Sequence, residues 1–368
     1  WTTQFGTEFF DDITGLQVSA AGDIFLSGNS DNRDYFNPDN EQSDIIFVKG
    51  NINGTPPTIL QSSATDKHDF SQALVTDSNG NFFIVGSTMG SMPGASNQGV
   101  HDVFITLHDS QGNLQWTKQY GTASDERVID ALLVNDTIYV ATSVIETTPD
   151  DGTLQPPGPV ASPVPPPFFF GNEKLVLFAF DKTGNYQWEK PLLETPALTQ
   201  TRLAQDNQGN LLIATLEPNL VPSISLPPEI VQVRKFDQNG NELDKFAITG
   251  EDHFDVHALE TDASGNIYVA GASFNESTIS EPGSGMGGPI FFSEPKNILT
   301  IIKFSADNTE QWRAKVEAEK HARIMDMALS PTGDIYATGF THGGIDGNSM
   351  IGTEDAFLFK VDSFGNVK

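Results

Sequence analysis

Residues 77–86 read Asp-Ser-Asn-Gly-Asn-Phe-Phe-Ile-Val-Gly, and residues 109–116 read Asp-Ser-Gln-Gly-Asn-Leu-Gln-Trp. Both stretches begin with Asp-x-x-Gly-Asn, in which Asp accepts backbone N–H bonds and Gly adopts the positive φ of a tight hairpin turn. The pattern occurs seven times, at residues 77–81, 109–113, 181–185, 206–210, 237–241, 262–266 and 362–366. These turns lack the alternating Asp spacing and the distal Glu of a calcium loop, so we interpret them as structural.

Short apolar segments lie on both sides of these turns, for example residues 81–86, 102–106 and 266–271. They indicate four strands in each repeat. Strand a leads through one turn to strand b, a variable loop leads to strand c, and a second turn leads to strand d. Strand d carries a Trp or a residue near the equivalent place, namely Leu60, Trp116, Trp188, Asp244 and Trp312.

The spacing of these strand d residues predicts six repeats in one domain, approximately 1–57, 58–115, 116–187, 188–243, 244–311 and 312–368. We therefore predict an all-β fold, a six-bladed β-propeller of four-stranded antiparallel blades. The chain ends one residue short of the next expected Trp, and Trp1-Thr-Thr-Gln-Phe-Gly6 has the sequence of a strand d. Residues 1–6 are therefore expected to join the last blade and close the ring.

The combined pattern W-x-x-Q-[FY]-G-T, D-x-x-G-N-x-Y-x-x-G-x-[ST] and D-x-F-x-x-K-x-D-x-x-G-N-x-x-W resembles the SBBP-type repeat of bacterial β-propellers. Matching residues in repeats 1, 2 and 6 include Trp1, Gln4, Gly28, Asp44, Asp77, Gly86, Asp102, Trp116, Gly333, Gly339, Asp355 and Lys360. Repeats 3 and 4 depart most from the pattern. The resemblance implies a secreted or cell-surface bacterial protein and fixes no single activity.

The composition is strongly acidic, with 49 Asp and Glu against 20 Lys and Arg and a formal charge of −29. A field of that sign repels phosphate backbones and anionic lipid, which argues against nucleic-acid and membrane-surface partners and favours cations. The chain has no Cys, which excludes disulfides and thiolate chemistry. No apolar run reaches membrane-spanning length, and Trp1 is not a natural start, so we expect that any targeting signal was removed.

The b–c and d–a connections lie at the same end of every predicted blade, and the b–c loops vary widely in length. Variable loops on a rigid frame are where binding is usually found. Residues 149–167 contain eight prolines and run into Phe168, Phe169 and Phe170. These phenylalanines either begin strand c and pack beneath the loop, or form an apolar contact patch for a ligand.

The d–a connections and the first residues of strand a are rich in acids and histidine. The candidate ligand-binding residues there are Asp11, Asp12, His68, Asp69, Glu126, Asp252, His253, Asp255 and His321. One interpretation is that each acid bonds the backbone of its own blade. The other is an electronegative funnel at the mouth of the central channel, in which Asp12, Asp69 and Asp255 hold a hard cation such as Ca²⁺. No other cofactor is predicted.

Three functional hypotheses follow from these features. The first is a non-catalytic extracellular or cell-surface recognition or adhesion module, a monomeric domain that binds a glycan or protein on the variable-loop face. The second is a metal-assisted hydrolase or lyase at the channel mouth, with His68, His253 or His321 as base. The third is a structural spacer within a larger surface protein. The sequence contains neither G-x-S-x-G nor His-Glu-x-x-His, so we predict that the chain is not an enzyme.

Overall fold

The structure is a computed structural model that describes residues 10–18, 22–32, 42–51, 53, 57–61, 65–146, 173–193, 200–218, 229–250, 254–274 and 297–368. The regular structure of these residues consists entirely of β-strands, because period-2 apolar segments alternate with glycine turns along the whole chain. Within these ranges no helix is long and apolar enough to cross a membrane.

The described residues form 23 strands, which we number in chain order. The strands are β1 (Phe10–Val18), β2 (Asp23–Asn32), β3 (Gln42–Asn51), β4 (Thr58–Gln61), β5 (Asp69–Thr76), β6 (Phe82–Thr88), β7 (Asp102–His108), β8 (Leu114–Tyr120), β9 (Asp125–Val134), β10 (Thr137–Ile145), β11 (Glu173–Asp181), β12 (Tyr186–Leu193), β13 (Thr201–Gln205), β14 (Leu211–Pro218), β15 (Glu229–Phe236), β16 (Glu242–Ile248), β17 (Phe254–Thr261), β18 (Ile267–Phe274), β19 (Asn297–Phe304), β20 (Glu310–Glu317), β21 (Ala322–Leu329), β22 (Ile335–Thr341) and β23 (Asp355–Val361).

The strands form six antiparallel sheets, and each sheet is one blade of consecutive strands. The chain divides into two compact units, Trp1–Pro196 and Ala197–Lys368. The first unit holds blade 1 (β1–β4), blade 2 (β5–β8) and blade 3 (β9–β12). The second unit holds blade 4 (β13–β16), blade 5 (β17–β20) and blade 6, of which β21–β23 are described.

The predicted fold class, an all-β six-bladed β-propeller with antiparallel blades, is confirmed. Each predicted repeat begins with the last strand of one blade and continues into the first three strands of the next, so the repeats and the blades are offset by one strand. Residues 1–9, which are predicted to supply the fourth strand of blade 6, lie outside the described residues.

The Asp-x-x-Gly-Asn segments form the predicted hairpin turns, as the turn between β5 and β6 illustrates. The Oδ1 atom of Asp77 accepts hydrogen bonds from the backbone N–H groups of Asn79 (2.8 Å) and Asn81 (2.9 Å). The side-chain amide of Asn81 donates to the other carboxylate oxygen of Asp77 at 2.9 Å. Gly80 has a φ of 78°, a conformation that other L-residues resist. Both carboxylate oxygens of Asp77 thus satisfy the turn, which is the structural role predicted for it.

The core consists of apolar layers between neighbouring blades of one unit. Every residue of β6 is buried, because the second strand of a blade has sheet on both edges and a neighbouring blade on each face. Phe82 faces the layer shared with blade 1, where its ring centroid lies 3.9 Å from that of Phe25. The next residue, Phe83, faces the layer shared with blade 3, which includes Val128. This alternation of side chains follows from the period of two along a strand.

The repeated Trp of the outer strand contacts the second turn of the following blade. A Cβ atom added to Gly184 would lie 2.8 Å from the ring of Trp116 on β8. Trp312 on β20 contacts Gly365 in the same way, and its Nε1–H donates to the carbonyl of Ser363 at 3.3 Å. The tight approach explains why the turn carries Gly, and it gives the repeated Trp a role in joining blades.

The two substitutes for Trp occupy the same place with different chemistry. Leu60 on β4 approaches Gly112 of blade 2, where an added Cβ would lie 2.4 Å from the leucine side chain. Asp244 on β16 instead accepts a hydrogen bond from the side-chain amide of Asn308 in blade 5, at 2.6 Å. The blades within each unit are therefore joined at equivalent points by an apolar or a polar contact.

Candidate functional site

We call the end of each blade at which its first and third strands begin the loop end. In blade 2 this end is marked by Asp69 on β5, Thr88 on β6 and Asp102 on β7, which are paired across the sheet. The d–a and b–c connections lie here, so those predicted site residues that the structure describes belong to the loop ends of their blades.

Two of the predicted acids in the first unit bond groups of their own surroundings. Asp12 on β1 accepts a hydrogen bond from the backbone N–H of Asn29 on β2 at 3.0 Å. Asp69 is fully buried, and its carboxylate accepts from the backbone N–H of Thr65 (2.6 Å) and from the hydroxyl of Thr88 (2.5 Å). Burial raises the pKa of Asp69 more than these hydrogen bonds lower it. Both contacts follow the structural interpretation of these acids, and ligand binding by them stays a prediction.

Glu126 on β9 is also fully buried at the loop end. The hydroxyl of Thr122 donates to its Oε1 atom, whereas Oε2 has no hydrogen-bond partner among the described residues. Burial raises the pKa of Glu126, and the nearby carboxylates of Asp102 and Asp125 add to that effect. A buried carboxyl group with one oxygen that lacks a hydrogen-bond partner favours the protonated, neutral form.

A histidine, a carboxylate and an arginine form a connected group between blades 2 and 3. The Nδ1 atom of His101 lies 2.6 Å from Oδ1 of Asp125, and the guanidinium of Arg127 donates to the same carboxylate at 2.8 and 3.1 Å. Burial alone would raise the pKa of Asp125, but the hydrogen bonds from His101 and Arg127 outweigh it and lower that pKa. The ring of Phe70 lies 6.2 Å from His101 and is stacked on His68 at 6.0 Å.

In the second unit, two arginines from the first strands of blades 4 and 6 donate hydrogen bonds to one histidine on the first strand of blade 5. The Nε–H of Arg202 on β13 donates to the carbonyl oxygen of His257 on β17 at 2.7 Å. The Nε–H of Arg323 on β21 donates to the Nε2 atom of the same histidine at 3.0 Å. His257 is only 3% exposed. Burial lowers the pKa of His257 to about 3, and the positive charges of Arg323 and Arg202 act in the same direction.

Three half-buried rings meet at the loop end of blade 6. The centroids of His321 and His342 are 5.5 Å apart, and Phe340 lies 5.7 Å from each of them. The Nε2 atom of His342 lies 2.8 Å from a carboxylate oxygen of Glu354. The side-chain amide of Asn297 on β19 lies 3.4 Å from Nδ1 of His321. Phe340 lies on β22, while His321 directly precedes β21 and His342 directly follows β22. The backbone N–H of His342 donates to the carbonyl oxygen of His321 at 2.8 Å, which joins the two histidine-bearing segments.

The remaining predicted site residues are exposed, half-buried or outside the described residues. Asp11 is exposed on β1, and Asp255 is half-buried on β17, close enough to raise the pKa of Arg323. Asp252, His253 and Phe168–Phe170 lie outside the described residues, as do residues 147–172, which contain the proline-rich loop. Their predicted roles stay predictions.

No group of three or more His, Asp or Glu side chains in the described ranges is arranged to hold a metal ion. Asp12, Asp69 and Asp255 therefore do not form such a group among these residues. The prediction that the loop ends bind Ca²⁺ stays a prediction.

The arginines were not among the residues selected from the sequence, although the repeats contain a signal for two of them. One residue of the first strand pairs with the residue that follows the repeated Gly of the second strand. In blade 3, Thr142 stands in place of that Gly. Five blades carry Asp12, Phe70, Arg127, Asp255 and Arg323 there. The acids at this position were predicted as site residues because the d–a connections and the starts of the first strands are rich in acids and histidine. Aligning the repeats at this position would have selected the two arginines as well.

Two carboxylates, Glu260 and Asp326, lie farther along the first strands β17 and β21 of the second unit. Burial raises the pKa of Glu260 on β17 to about 7, and the negative charge of Asp326 on β21 contributes. In the unfolded chain this pKa returns to its ordinary value, so the folded protein binds more protons between about pH 4.5 and 7. Stability from this group is therefore complete at low pH and is lost as the pH rises through 7.

We expect Glu260→Gln to raise the melting temperature at pH 8 by about 3 °C and to change it little at pH 4.5. The neutral amide removes the charge that the buried site disfavours. Thermal melts of both proteins between pH 4 and 8 provide the measurement, with the exposed Glu317→Gln as the matched control. Equal melting temperatures for wild type and Glu260→Gln at pH 8 would contradict the raised pKa.

No protein-family model and no curated protein sequence matches this chain. An ulvan lyase from a polysaccharide lyase family, bound to -[GlcA(1-4)Rha3S]-, aligns with a TM-score of 0.54 and 10% identity over 95% of this chain and 78% of its own. An α-L-arabinofuranosidase from Fusarium graminearum aligns with a TM-score of 0.51 and 10% identity, covering 90% of this chain and 88% of its own. A protein of unknown function from Dyadobacter fermentans has the same TM-score and identity over 95% and 94%. At this identity the likenesses show the propeller fold alone.

Proposed function

We propose that this chain is a carbohydrate-binding β-propeller module that holds its ligand at the loop end of blade 6 and releases it unchanged. The observation that carries the proposal is the contact of three half-buried rings, Phe340 on β22 and His321 and His342 directly beside the ends of β21 and β22. We also propose that the module belongs to a secreted or cell-surface bacterial protein of the SBBP-type repeat family.

The chemistry of the ring cluster suits a sugar. A pyranose has faces of C–H groups, which an aromatic ring can cover, and an edge of hydroxyl groups, which needs hydrogen-bond partners. Phe340 supplies the apolar surface, while the imidazole of His342 and the carboxylate of Glu354 supply polar atoms beside it. A concave or open apolar surface with a few fixed polar groups is a common form of small-ligand site.

The solved structures provide a second line of support. Two of the propellers to which this fold is similar are named for action on carbohydrate, an ulvan lyase and an α-L-arabinofuranosidase. Sequence identity of 10% does not carry their activities to this chain. It does make carbohydrate the first ligand class to test.

The binding test uses a glycan array followed by titration calorimetry with the best ligand. We expect Phe340→Ala to weaken binding by about tenfold, the value of one buried aromatic face. Tyr336→Ala is the matched control, because Tyr336 lies on the same strand, is partly exposed and stands near the turn at the other end of β22. The control is expected to bind with wild-type affinity.

The outcomes of this test distinguish the proposed binding site from other locations and carbohydrate recognition from its alternatives. Equal weakening by Phe340→Ala and Tyr336→Ala would place the ligand elsewhere on the protein. An array without any carbohydrate signal would reject the proposal. In that case, pull-down of a defined protein ligand would favour protein recognition, and the absence of both would favour the spacer hypothesis.

A hydrolase or lyase is the second candidate, and a specific geometry favours it. Two loop-end histidines each contact a carboxylate, His101 with Asp125 at 2.6 Å and His342 with Glu354 at 2.8 Å. A carboxylate that orients an imidazole is a common arrangement around a general base. Incubating the bound glycan with wild type, His101→Ala and His342→Ala distinguishes the candidates. New reducing ends or unsaturated uronate absorbance that disappear with either substitution would replace the recognition proposal by the enzyme.

A further inference from the structure

The contacts of Arg202 and Arg323 leave much of their hydrogen-bonding capacity unused. Each guanidinium has five N–H donors in a planar fork. Arg202 uses Nε toward the carbonyl of His257 and one Nη toward the carbonyl of Thr201 at 2.8 Å. Arg323 uses only Nε, toward the ring of His257, among the residues that the structure describes.

Among the described residues neither of these arginines forms an ion pair with an acid, although the chain has 49 acidic residues and 20 basic ones. Arg127, Arg234 and Arg313 each form an ion pair with a carboxylate. Within the described part of the chain, Arg202 and Arg323 have no Asp or Glu oxygen within 4 Å. Burial and the nearby charge of Arg202 lower the pKa of Arg323, so the two cations repel each other across His257.

The histidine between them is itself incompletely bonded. Because Nε2 of His257 accepts the Arg323 hydrogen bond, the ring proton of the neutral imidazole must be on Nδ1. That Nδ1 atom is buried and has no hydrogen-bond partner among the described residues. His257 therefore adds to the cluster another N–H donor that has no partner among the described residues.

We propose that Arg202 and Arg323 form an anion-binding site on the first strands of blades 4 and 6, and that the carbohydrate ligand of this protein carries a carboxylate or a sulfate ester. Planar guanidinium groups match the paired oxygens of both anions and neutralise them. His257 separates the two guanidinium groups and fixes the Nε atom of each by accepting its hydrogen bond. The proposal rests on the proposed carbohydrate-binding function.

The net negative charge of the protein is expected to confine anion binding to the two arginines. The whole protein repels anions because of its charge of −29, whereas the two arginines provide local positive charge that no ion pair among the described residues neutralises. Asp255 is the acid whose charge acts on Arg323, and it raises the pKa of that arginine. An anionic group is therefore expected to be held at the arginines and repelled from most other surfaces.

The test compares anionic and neutral forms of the same polymers by titration calorimetry at roughly 0.15 M salt, where long-range repulsion is screened beyond about 8 Å. The probes are polyglucuronate and its carboxyl-reduced form, and dextran sulfate and dextran. We expect wild type to prefer one anionic member over its neutral counterpart by about 30-fold, the value of a buried charged hydrogen-bond pair. The first pair of polymers tests the carboxylate and the second tests the sulfate ester.

Arg323→Gln and Arg202→Gln are expected to abolish that preference while leaving the far-ultraviolet circular dichroism unchanged. Arg234→Gln is the matched control, because Arg234 lies on β15 of the same unit and already pairs with Glu217 and Glu242. It should retain the full preference. Arg323→Lys provides a second variant that controls for any disturbance of the strand by glutamine, because it keeps the charge and should retain part of the preference.

The outcomes separate this proposal from the function on which it rests. Wild type that binds neutral and anionic polymers equally, with Phe340→Ala still weakening both, would overturn the anion site and leave carbohydrate recognition intact. Titration of inorganic sulfate and free glucuronate into ¹⁵N-arginine-labelled protein provides the opposite case. Shifts of the Arg202 and Arg323 Nε–H signals without binding of any polymer would support the anion site and reject the carbohydrate function.

Discussion

Gly271→Ala is expected to lower the free energy of unfolding by about 3 kcal/mol and the melting temperature by about 4 °C. A Cβ atom added to Gly271 on β18 would lie 1.9 Å from the backbone carbonyl oxygen of Asp255 and 2.8 Å from the ring of Phe254. Backbone oxygen cannot turn away as a flexible side chain can. The first strand of blade 5 would therefore have to shift.

This glycine matters because β17 carries an irregularity at the same point. The pairing of β17 with β18 shifts register between Val256 and Ala258, which leaves His257 as the extra residue. A β-bulge of this kind brings the backbone carbonyl of the bulged strand toward its neighbour. Moving β17 would also move the carbonyl and the ring of His257, to which Arg202 and Arg323 donate.

The same close approach occurs in three other blades, which makes the prediction general. Added Cβ atoms at Gly28, Gly86 and Gly339 would each lie 1.9 Å from a carbonyl of the first strand. Blades 3 and 4 carry Thr142 and Thr215 at the equivalent position. A side chain therefore fits there when the first strand of the blade leaves room for it. A single substitution in blade 5 has no such accommodation.

The control is Gly50→Ala on β3. A Cβ atom there would make only ordinary contacts, 3.7 Å to Pro57 and 4.0 Å to Ile24. Gly50 is also not among the glycines with a positive φ. Chemical denaturation of the two variants and wild type measures the difference. A Gly271→Ala protein as stable as Gly50→Ala would show that β17 can move away at no cost.

The fold could be predicted from the sequence because its determinants are local and repeated. Each Asp-x-x-Gly-Asn turn is specified within five residues, as the contacts of Asp77 and Asn81 show. The repeated outer-strand Trp, seen at Trp116 and Trp312, then gave the spacing of the blades. Its physical role, packing on the turn of the next blade, explains why a Trp or a substitute for it stands at this place in each repeat.

The candidate site could be predicted only in part, because it depends on contacts between blades. Arg202, His257 and Arg323 are far apart in the sequence, and their meeting requires both the bulge at His257 and the packing of successive first strands. Neither has a local sequence signal. Likewise, Asp69 and Asp255 are both acids at the start of a first strand, yet one is fully buried and the other half-buried.

Removal of residues 1–6 is expected to lower the melting temperature by about 10 °C, because it deletes the predicted outer strand of blade 6 and a packed Trp. The described part of blade 6 contains three strands, β21–β23. Trp1-Thr-Thr-Gln-Phe-Gly6 matches Trp116-Thr-Lys-Gln-Tyr-Gly121, which contains most of the outer strand of blade 2. Blade 2 therefore shows which contacts the first residues are expected to make.

In blade 2, the side-chain amide of Gln119 donates to Asp102 at 2.8 Å and to the carbonyl of Gly90 at 3.0 Å. Asp102 begins β7 as Asp355 begins β23, and each accepts a backbone N–H bond from the residue four places earlier. Gln4 is accordingly expected to bond Asp355, while Trp1 packs on the second turn of blade 1 as Trp116 does on that of blade 3. Gln4→Ala and Trp1→Ala should each reproduce part of the loss.

Thr2→Ala and Thr3→Ala are the matched controls, because they shorten neighbouring side chains and keep Trp1, Gln4 and Gly6. Thermal melts of all variants give the ranking. A synthetic peptide of residues 1–9 added to the truncated protein should raise its melting temperature by binding the folded state, whereas a scrambled peptide should not. A truncated protein that melts with wild type would show that residues 1–6 do not complete blade 6. Failure of the peptide to stabilise a destabilised protein would show that the lost stability comes from another source.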